Sequence, residues 1–148
     1  GSEMCIRDRD RVDWDNISYY QAISKSFAKK HSLTIQNNCH RTIKEWKEII
    51  KNTNVYECHK DYFYAYKGIR SDRYSKFNFQ YQYLSGETYE CFSDYSIIAS
   101  SFGLSACTEE WAKYYSDELV IKVKIYYRDV TAVTLGREIR CKRLTVMN

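Results

Sequence analysis

Four cations, Lys67, Arg70, Arg73 and Lys76, fall within the run Lys67-Gly68-Ile69-Arg70-Ser71-Asp72-Arg73-Tyr74-Ser75-Lys76, interleaved with a tyrosine and two serines. Phosphate groups are recognised by such mobile cations and hydroxyl donors, and Tyr66, Tyr74 and Phe79 are placed to stack a base. Gly68 permits close approach of a ligand to the backbone. A solvated turn in which Asp72 pairs Arg70 or Arg73 is the competing expectation. Arg137, Arg140, Lys142 and Arg143 form a second basic group near the other end of the chain. Where the two segments neighbour each other, they make one anion-binding face, with Lys67, Arg70, Arg73, Arg140 and Arg143 on phosphates.

Several other chemistries lack their residues. There is no G-x-x-x-x-G-K phosphate loop, no nucleophile elbow and no H-E-x-x-H, and the three histidines have no convincing acid or base partner. Cys39-His40 and Cys58-His59 invite a zinc reading, but adjacent residues of an extended chain point to opposite faces and no C-x-x-C pair is present. No metal is expected. With Cys5 set aside among the first nine residues, Cys39, Cys58, Cys91, Cys107 and Cys141 are widely spaced and odd in number, which argues against a disulfide framework and for a reducing, cytoplasmic setting. A net charge of +4 is modest for a duplex binder and suits a small nucleotide better. Tyrosine and arginine also anchor protein interfaces, so a protein partner or an assembly of identical copies is compatible with the same surface.

The elements that must position these groups follow from periodicity. A length of 148 residues, 44% of them apolar, fits one domain with one core, and no run of about 18 apolar residues exists to cross a bilayer. Residues 1–9 resemble the read-through translation of a sequencing-library adapter and are set aside, leaving 10–148 as the domain. Ile17, Tyr20, Ile23 and Phe27 predict an amphipathic helix over 14–30. Thr42 and Glu45 form a capping-box pattern ahead of a stripe of Ile43, Trp46, Ile49 and Ile50, predicting a second helix to about Asn52. Strands are predicted at Tyr62–Tyr66, at 77–83 where Phe77, Phe79, Tyr81 and Tyr83 alternate with polar residues, and at Glu87–Phe92. A short helix follows Thr108, then the clearest strand over Leu119–Tyr126, with Val130–Leu135 beside it. In the last strand the apolar set shifts from Ile139 and Cys141 to Leu144 and Val146, which predicts a bulge near Lys142 or Arg143. The expected fold is α+β: two N-terminal helices packed on a mainly antiparallel sheet interrupted by one short helix.

From Tyr62 onward, the order Tyr66-Lys67-Gly68-Ile69-Arg70, Gly86-Glu87-Thr88-Tyr89-Glu90, Phe102-Gly103-Leu104-Ser105-Ala106-Cys107-Thr108 and Ile139-Arg140-Cys141 resembles a small uncharacterised domain of phage and metagenomic proteins. A second likeness is to ADP-ribosyltransferases, which carry Arg-Gly or His-Gly on an early strand, a Ser-x-Ser strand ahead of a helix and a late catalytic glutamate. Lys67-Gly68 stands at the first of these places, Cys91-Phe92-Ser93 echoes the second, and Glu138 supplies the third. Lys67 lacks the fork of arginine, and Gly136 stands where many relatives carry Glu or Gln.

The expected function is therefore capture of a small anionic ligand without catalysis or cofactor, a nucleotide such as a cyclic-nucleotide or ADP-ribose-type defence signal in the cytoplasm of a phage's host. The alternatives are an NAD-using ADP-ribosyltransferase with Glu138 catalytic, and a counter-defence inhibitor of a host protein.

Overall fold

In a computed structural model of the chain, residues 41–76, 80–96 and 102–148 are described. The helix expected over 14–30 and the ring of Phe79 lie outside them. Helix α1 (Ile43–Asn52) leads into strands β1 (Glu57–Cys58), β2 (Tyr62–Ile69), β3 (Thr88–Glu90) and β4 (Leu104–Ala106). Helix α2 (Glu109–Tyr115) follows, then β5 (Leu119–Tyr126), β6 (Val130–Val133), β7 (Ile139–Cys141) and β8 (Arg143–Val146). The architecture is α+β, with the strands in two antiparallel sheets ordered β1-β2-β5-β8-β3 and β4-β7-β6.

The period-2 pattern of β5 sets the larger sheet. Ile121, Val123 and Ile125 turn inward with no exposed surface, and they lie opposite Lys67, Ala65 and Phe63 of β2 in antiparallel register. Leu104, Ala106, Ile139 and Cys141 of the smaller sheet join the same buried cluster, so the two sheets share one core. Trp46 and Ile50 of α1 add to it, each worth about 2 kcal/mol of apolar burial. The capping box forms as the sequence predicts: Glu45 N–H donates to Thr42 Oγ1 at 3.1 Å and Thr42 N–H to Glu45 Oε1 at 3.2 Å. Ile43 departs from the expected stripe and is 57% exposed, because the first helical residue precedes the turn that meets the core.

Three expectations are corrected by the strand pairing. The parity shift in the last strand is a change of sheet: β7 pairs with β4 and β6, then after Lys142 β8 pairs with β5 and β3. Val130–Val133 accordingly pairs with β7 in the smaller sheet and not beside β5. The alternating run that ends at Tyr83 forms no regular strand among its described residues, where the pairing consists of a bridge between Tyr74 and Gln82. Tyr83 is nonetheless fully buried, its N–H donating to the Arg73 carbonyl at 2.8 Å. Alternation there reports burial of one ring and not a ladder of backbone bonds.

Helix α2 crosses the larger sheet at Gly68. A β-carbon there would lie 2.5 Å from the Ala112 carbonyl oxygen and 2.9 Å from Ser116 Cβ, so the missing side chain admits the helix, where a ligand had been expected. Ser116 Oγ donates to the Ile69 carbonyl at 2.7 Å and fixes the helix's end. Gly68→Ala must lift α2 off β2, and the overpacking is expected to cost about 1–3 kcal/mol. Urea unfolding checks this through a lower midpoint with unchanged slope.

Candidate functional site

The two sheets meet at one pair of residues. On the β1 side of β2, Cys58 and Glu57 pair with Phe63 and Tyr64, and beyond them Cys107 takes over: Tyr66 N–H donates to the Cys107 carbonyl and Cys107 N–H to the Tyr66 carbonyl, both at 2.8 Å. A cleft of about 330 Å³ opens beside this seam. Its walls are Tyr66, Lys67 and Gly68 from β2, Ser105 to Thr108 from the β4-to-α2 junction, Trp111 and Tyr115 from α2, and Tyr56. Thr134, Leu135, Gly136 and Glu138 close it. The volume and the largely apolar, aromatic lining with a few polar groups are those of a small-molecule site.

Thr108 organises one wall. Its Oγ1 accepts the Trp111 N–H at 3.2 Å, capping α2, while Glu109 and Glu110 sit in the first turn. The helix then faces the cleft with Trp111, 58% exposed, and Tyr115. The opposite wall is the tight connection between β6 and β7. Arg137 N–H donates to the Thr134 carbonyl at 2.9 Å, Thr134 N–H to the Glu138 carbonyl at 2.9 Å, and Glu138 N–H to Thr134 Oγ1 at 3.2 Å. Arg137 takes a left-handed conformation, φ 65°, at a position that favours glycine or asparagine. The Tyr56 hydroxyl donates to the Arg137 carbonyl and ties this strained turn to the segment before β1.

Electrostatics place the same groups together. Burial pushes the Cys107 thiol up to about 11, the Lys67 ammonium opposing and the Glu138 carboxylate adding to the rise. Burial likewise raises the Tyr56 phenol, with Cys107 and Glu138 contributing. Lys67 is only 4% exposed, because it falls on the inward parity of β2 with Ala65 and Ile69. Its Nζ donates to the Ser105 carbonyl at 2.7 Å and stands 5.5 Å from the centre of the Tyr83 ring.

The predicted cations do not share one face. Arg70 pairs with Asp72 at 2.9 Å, as the solvated-turn expectation has it. Arg73, with φ 73°, closes the same loop by donating to the carbonyls of Tyr83 at 2.6 Å and Asn148 at 2.8 Å. Tyr74 bridges to Gln82 within that loop. Lys76 donates to the carbonyl of the cleft residue Tyr115 at 3.1 Å, with its charge 5.6 Å from the ring centre. Arg140 is 1% exposed, its guanidinium on Asp94 at 3.3 Å and on the Ser96 carbonyl. Burial pulls its pKa below the usual arginine range while Asp94 opposes the fall. Arg143 pairs with Glu90 at 2.7 Å on the neighbouring strand. The merged anion-binding face is therefore corrected: Tyr66 and Lys67 line the cleft, and the chain's own carboxylates and carbonyls engage Arg70, Arg73, Arg140 and Arg143.

Cys91-Phe92-Ser93 does not line the cleft. Cys91 is disulfide-bonded, with its partner outside the described residues, which corrects the expectation of unpaired thiols, and Ser93 Oγ bonds Thr131. Ser105-Ala106-Cys107-Thr108 lines the cleft at the strand-to-helix junction. The apolar Leu104–Ala106 directly ahead of a Thr-Glu-Glu cap was the sequence signal for that junction. Among the described residues no group of three or more His, Cys, Asp or Glu converges to hold a metal. Comparison of the chain with protein-family models, curated proteins and solved structures finds no match.

Two measurements check this geometry. Asp94→Ala leaves Arg140 buried without its carboxylate and is expected to cost about 3 kcal/mol, whereas volume-conserving Arg140→Met costs less. Equilibrium unfolding of both variants reads the difference. Only the thiolate reacts with iodoacetamide, so a Cys107 thiol near 11 leaves about one molecule in a thousand reactive at pH 8. Labelling of Cys107 in the folded chain is expected to lag a free thiol and to keep accelerating above pH 9.

Proposed function

We propose that the chain is an ADP-ribosyltransferase-type enzyme with NAD as donor substrate and Glu138 as its catalytic carboxylate. The observation that carries the reading is the joint placement of Tyr66-Lys67-Gly68, the Ser105–Thr108 junction and Glu138 around one aromatic cleft. The nicotinamide of NAD is a planar cation, and the rings of Tyr66, Trp111 and Tyr115 are of the kind that hold one. Breaking the bond from ribose C1′ to the nicotinamide nitrogen sends the bonding pair to the ring, which leaves neutral, and leaves positive charge on the ribose. A carboxylate beside C1′ stabilises that charge, as in glycoside hydrolysis. An acceptor nucleophile then bonds to C1′ and releases its proton to water. Lys76, held on Tyr115, and Arg137 on the turn supply cations for the pyrophosphate.

One observation favours capture without turnover as a second reading. Lys67 stands where such enzymes carry arginine or histidine, and its ammonium is engaged by Ser105 and Tyr83 behind the cleft wall. Gly136 adds no second polar group ahead of Glu138. The same cleft would then hold a nucleotide or ADP-ribose derivative without chemistry. We place either activity in a host cell's cytoplasm, where NAD is abundant. No described helix is long and apolar enough to cross a membrane.

Chromatographic detection of nicotinamide released from NAD separates the readings. Turnover by the wild-type chain that falls about 10²–10³-fold in Glu138→Gln supports the transferase. Absent turnover, but about 2.7 kcal/mol of stabilisation by NAD or ADP-ribose at a hundredfold excess over Kd, supports capture. Neither release nor stabilisation removes both.

A further inference from the structure

The face of the larger sheet that turns away from the core carries a second constellation. Inward residues of β2 and β5 alternate with outward Tyr62, Tyr64, Lys122, Lys124 and Tyr126, and the register sets Tyr62 opposite Tyr126 and Tyr64 opposite Lys124. The Lys122 ammonium stands 4.2 Å from the centre of the Tyr64 ring, and Lys124 stands 4.2 Å from that of Tyr62 and 5.1 Å from that of Tyr126. Arg128 lies 4.5 Å from the Tyr126 ring. His59 stacks on Tyr62 at 4.9 Å and bonds Glu57 at 2.6 Å, so the carboxylate beside these cations is already engaged. Among the described residues, the element packed on the outer side of this sheet is α2, which meets it at Gly68, beyond the tyrosines.

We infer that this face binds single-stranded nucleic acid, with Tyr62, Tyr64 and Tyr126 stacking bases and Lys122, Lys124 and Arg128 meeting phosphates. Charge complementarity selects the occupant: three cations, each within cation–π reach of a ring, suit a ligand that alternates flat aromatic groups with anions. The Tyr62 and Tyr64 rings meet edge to face with centres 5.5 Å apart, and Tyr62 lies 5.8 Å from Tyr126, so the three rings form one contiguous aromatic surface on which bases can stack. On binding, each ammonium moves from a ring to a phosphate and a base takes its place on the ring. A duplex keeps its bases stacked inside and offers such rings nothing. The face runs up to the cleft wall at Tyr66, but none of these six residues lines the cleft, so oligonucleotide binding and nicotinamide release report on separate side chains and each assignment fails or stands alone.

The test is fluorescence anisotropy of a labelled oligothymidine of about fifteen nucleotides with the full chain at about 50 mM salt, alongside a duplex of equal length. The expected result is binding that weakens with salt and is tighter than that of the duplex. The double variant Lys122→Glu, Lys124→Glu is expected to weaken it at least about tenfold and to lower the log–log salt slope by about 1.4. Tyr62→Ala with Tyr64→Ala weakens it about tenfold with the slope unchanged. Should charge reversal unfold the chain, the Lys122→Gln, Lys124→Gln pair is read in its place. Three outcomes overturn the assignment: no binding of the oligomer, equal binding of the duplex, or variants that bind like the wild type. A dimer in light scattering that Lys124→Glu dissociates gives the face to a second copy and overturns it as well.

Discussion

The pair of hydrogen bonds between Tyr66 and Cys107 is the constraint on which the arrangement rests. Each bond contributes only about 1 kcal/mol net, far less than the shared apolar core, so their importance is one of register. They fix where β4 joins the edge of β2, and with that the height at which Thr108 starts α2. Slip by one residue at this bridge would shift Ser105 and Thr108 along β2 and carry the start of α2 away from its seat on Gly68. The cleft exists because β1 stops pairing at Tyr64 and β4 enters at Tyr66, leaving a gap that α2 and the 134–138 turn wall off.

The sites differ in how their charges are used. The cations most visible in the sequence, Arg70, Arg73, Arg140 and Arg143, serve the fold by joining loops and strands to carboxylates and carbonyls. Arg140 is the clearest instance. Gly103, held at φ 140°, gives its stem room, and Asp94 accepts from the N–H groups of Ser96 and Phe102 as well as from the guanidinium. A buried guanidinium so surrounded ties Asp94 and Ser96 to β7 and brings little net stability. Lys122 and Lys124, which draw no notice in the sequence, are the ones that stand over tyrosine rings at the surface.

Strong local periodicity was legible and pairing was not. The helix at Ile43–Asn52 and the strand at Leu119–Tyr126 follow from caps and alternation that need no distant partner. The change of sheet at Lys142 leaves the same trace in sequence as a bulge, since both displace the apolar set by one residue. Lys67 was legible as a cation of a basic loop, but its parity with Phe63 and Ala65 was the better guide to its burial. Glu138 was found through a likeness. The cap at Thr108 was legible, whereas the strand Leu104–Ala106 ahead of it was missed because three residues are too short for a periodic signal. The Cys91 disulfide could not be read from spacing, because an odd count of distant cysteines specifies no pairing.

The passage of one uninterrupted segment from β7 into β8 has a mechanical corollary. Residues 139 to 146 form the centre of the smaller sheet and an inner strand of the larger, so neither can fray without pulling the same ribbon out of the other. Loss of structure in one layer is thereby transmitted to both. The amides of Ile121 and Ile139, though in different sheets, belong to one cooperative unit whose exchange with solvent requires the whole to open.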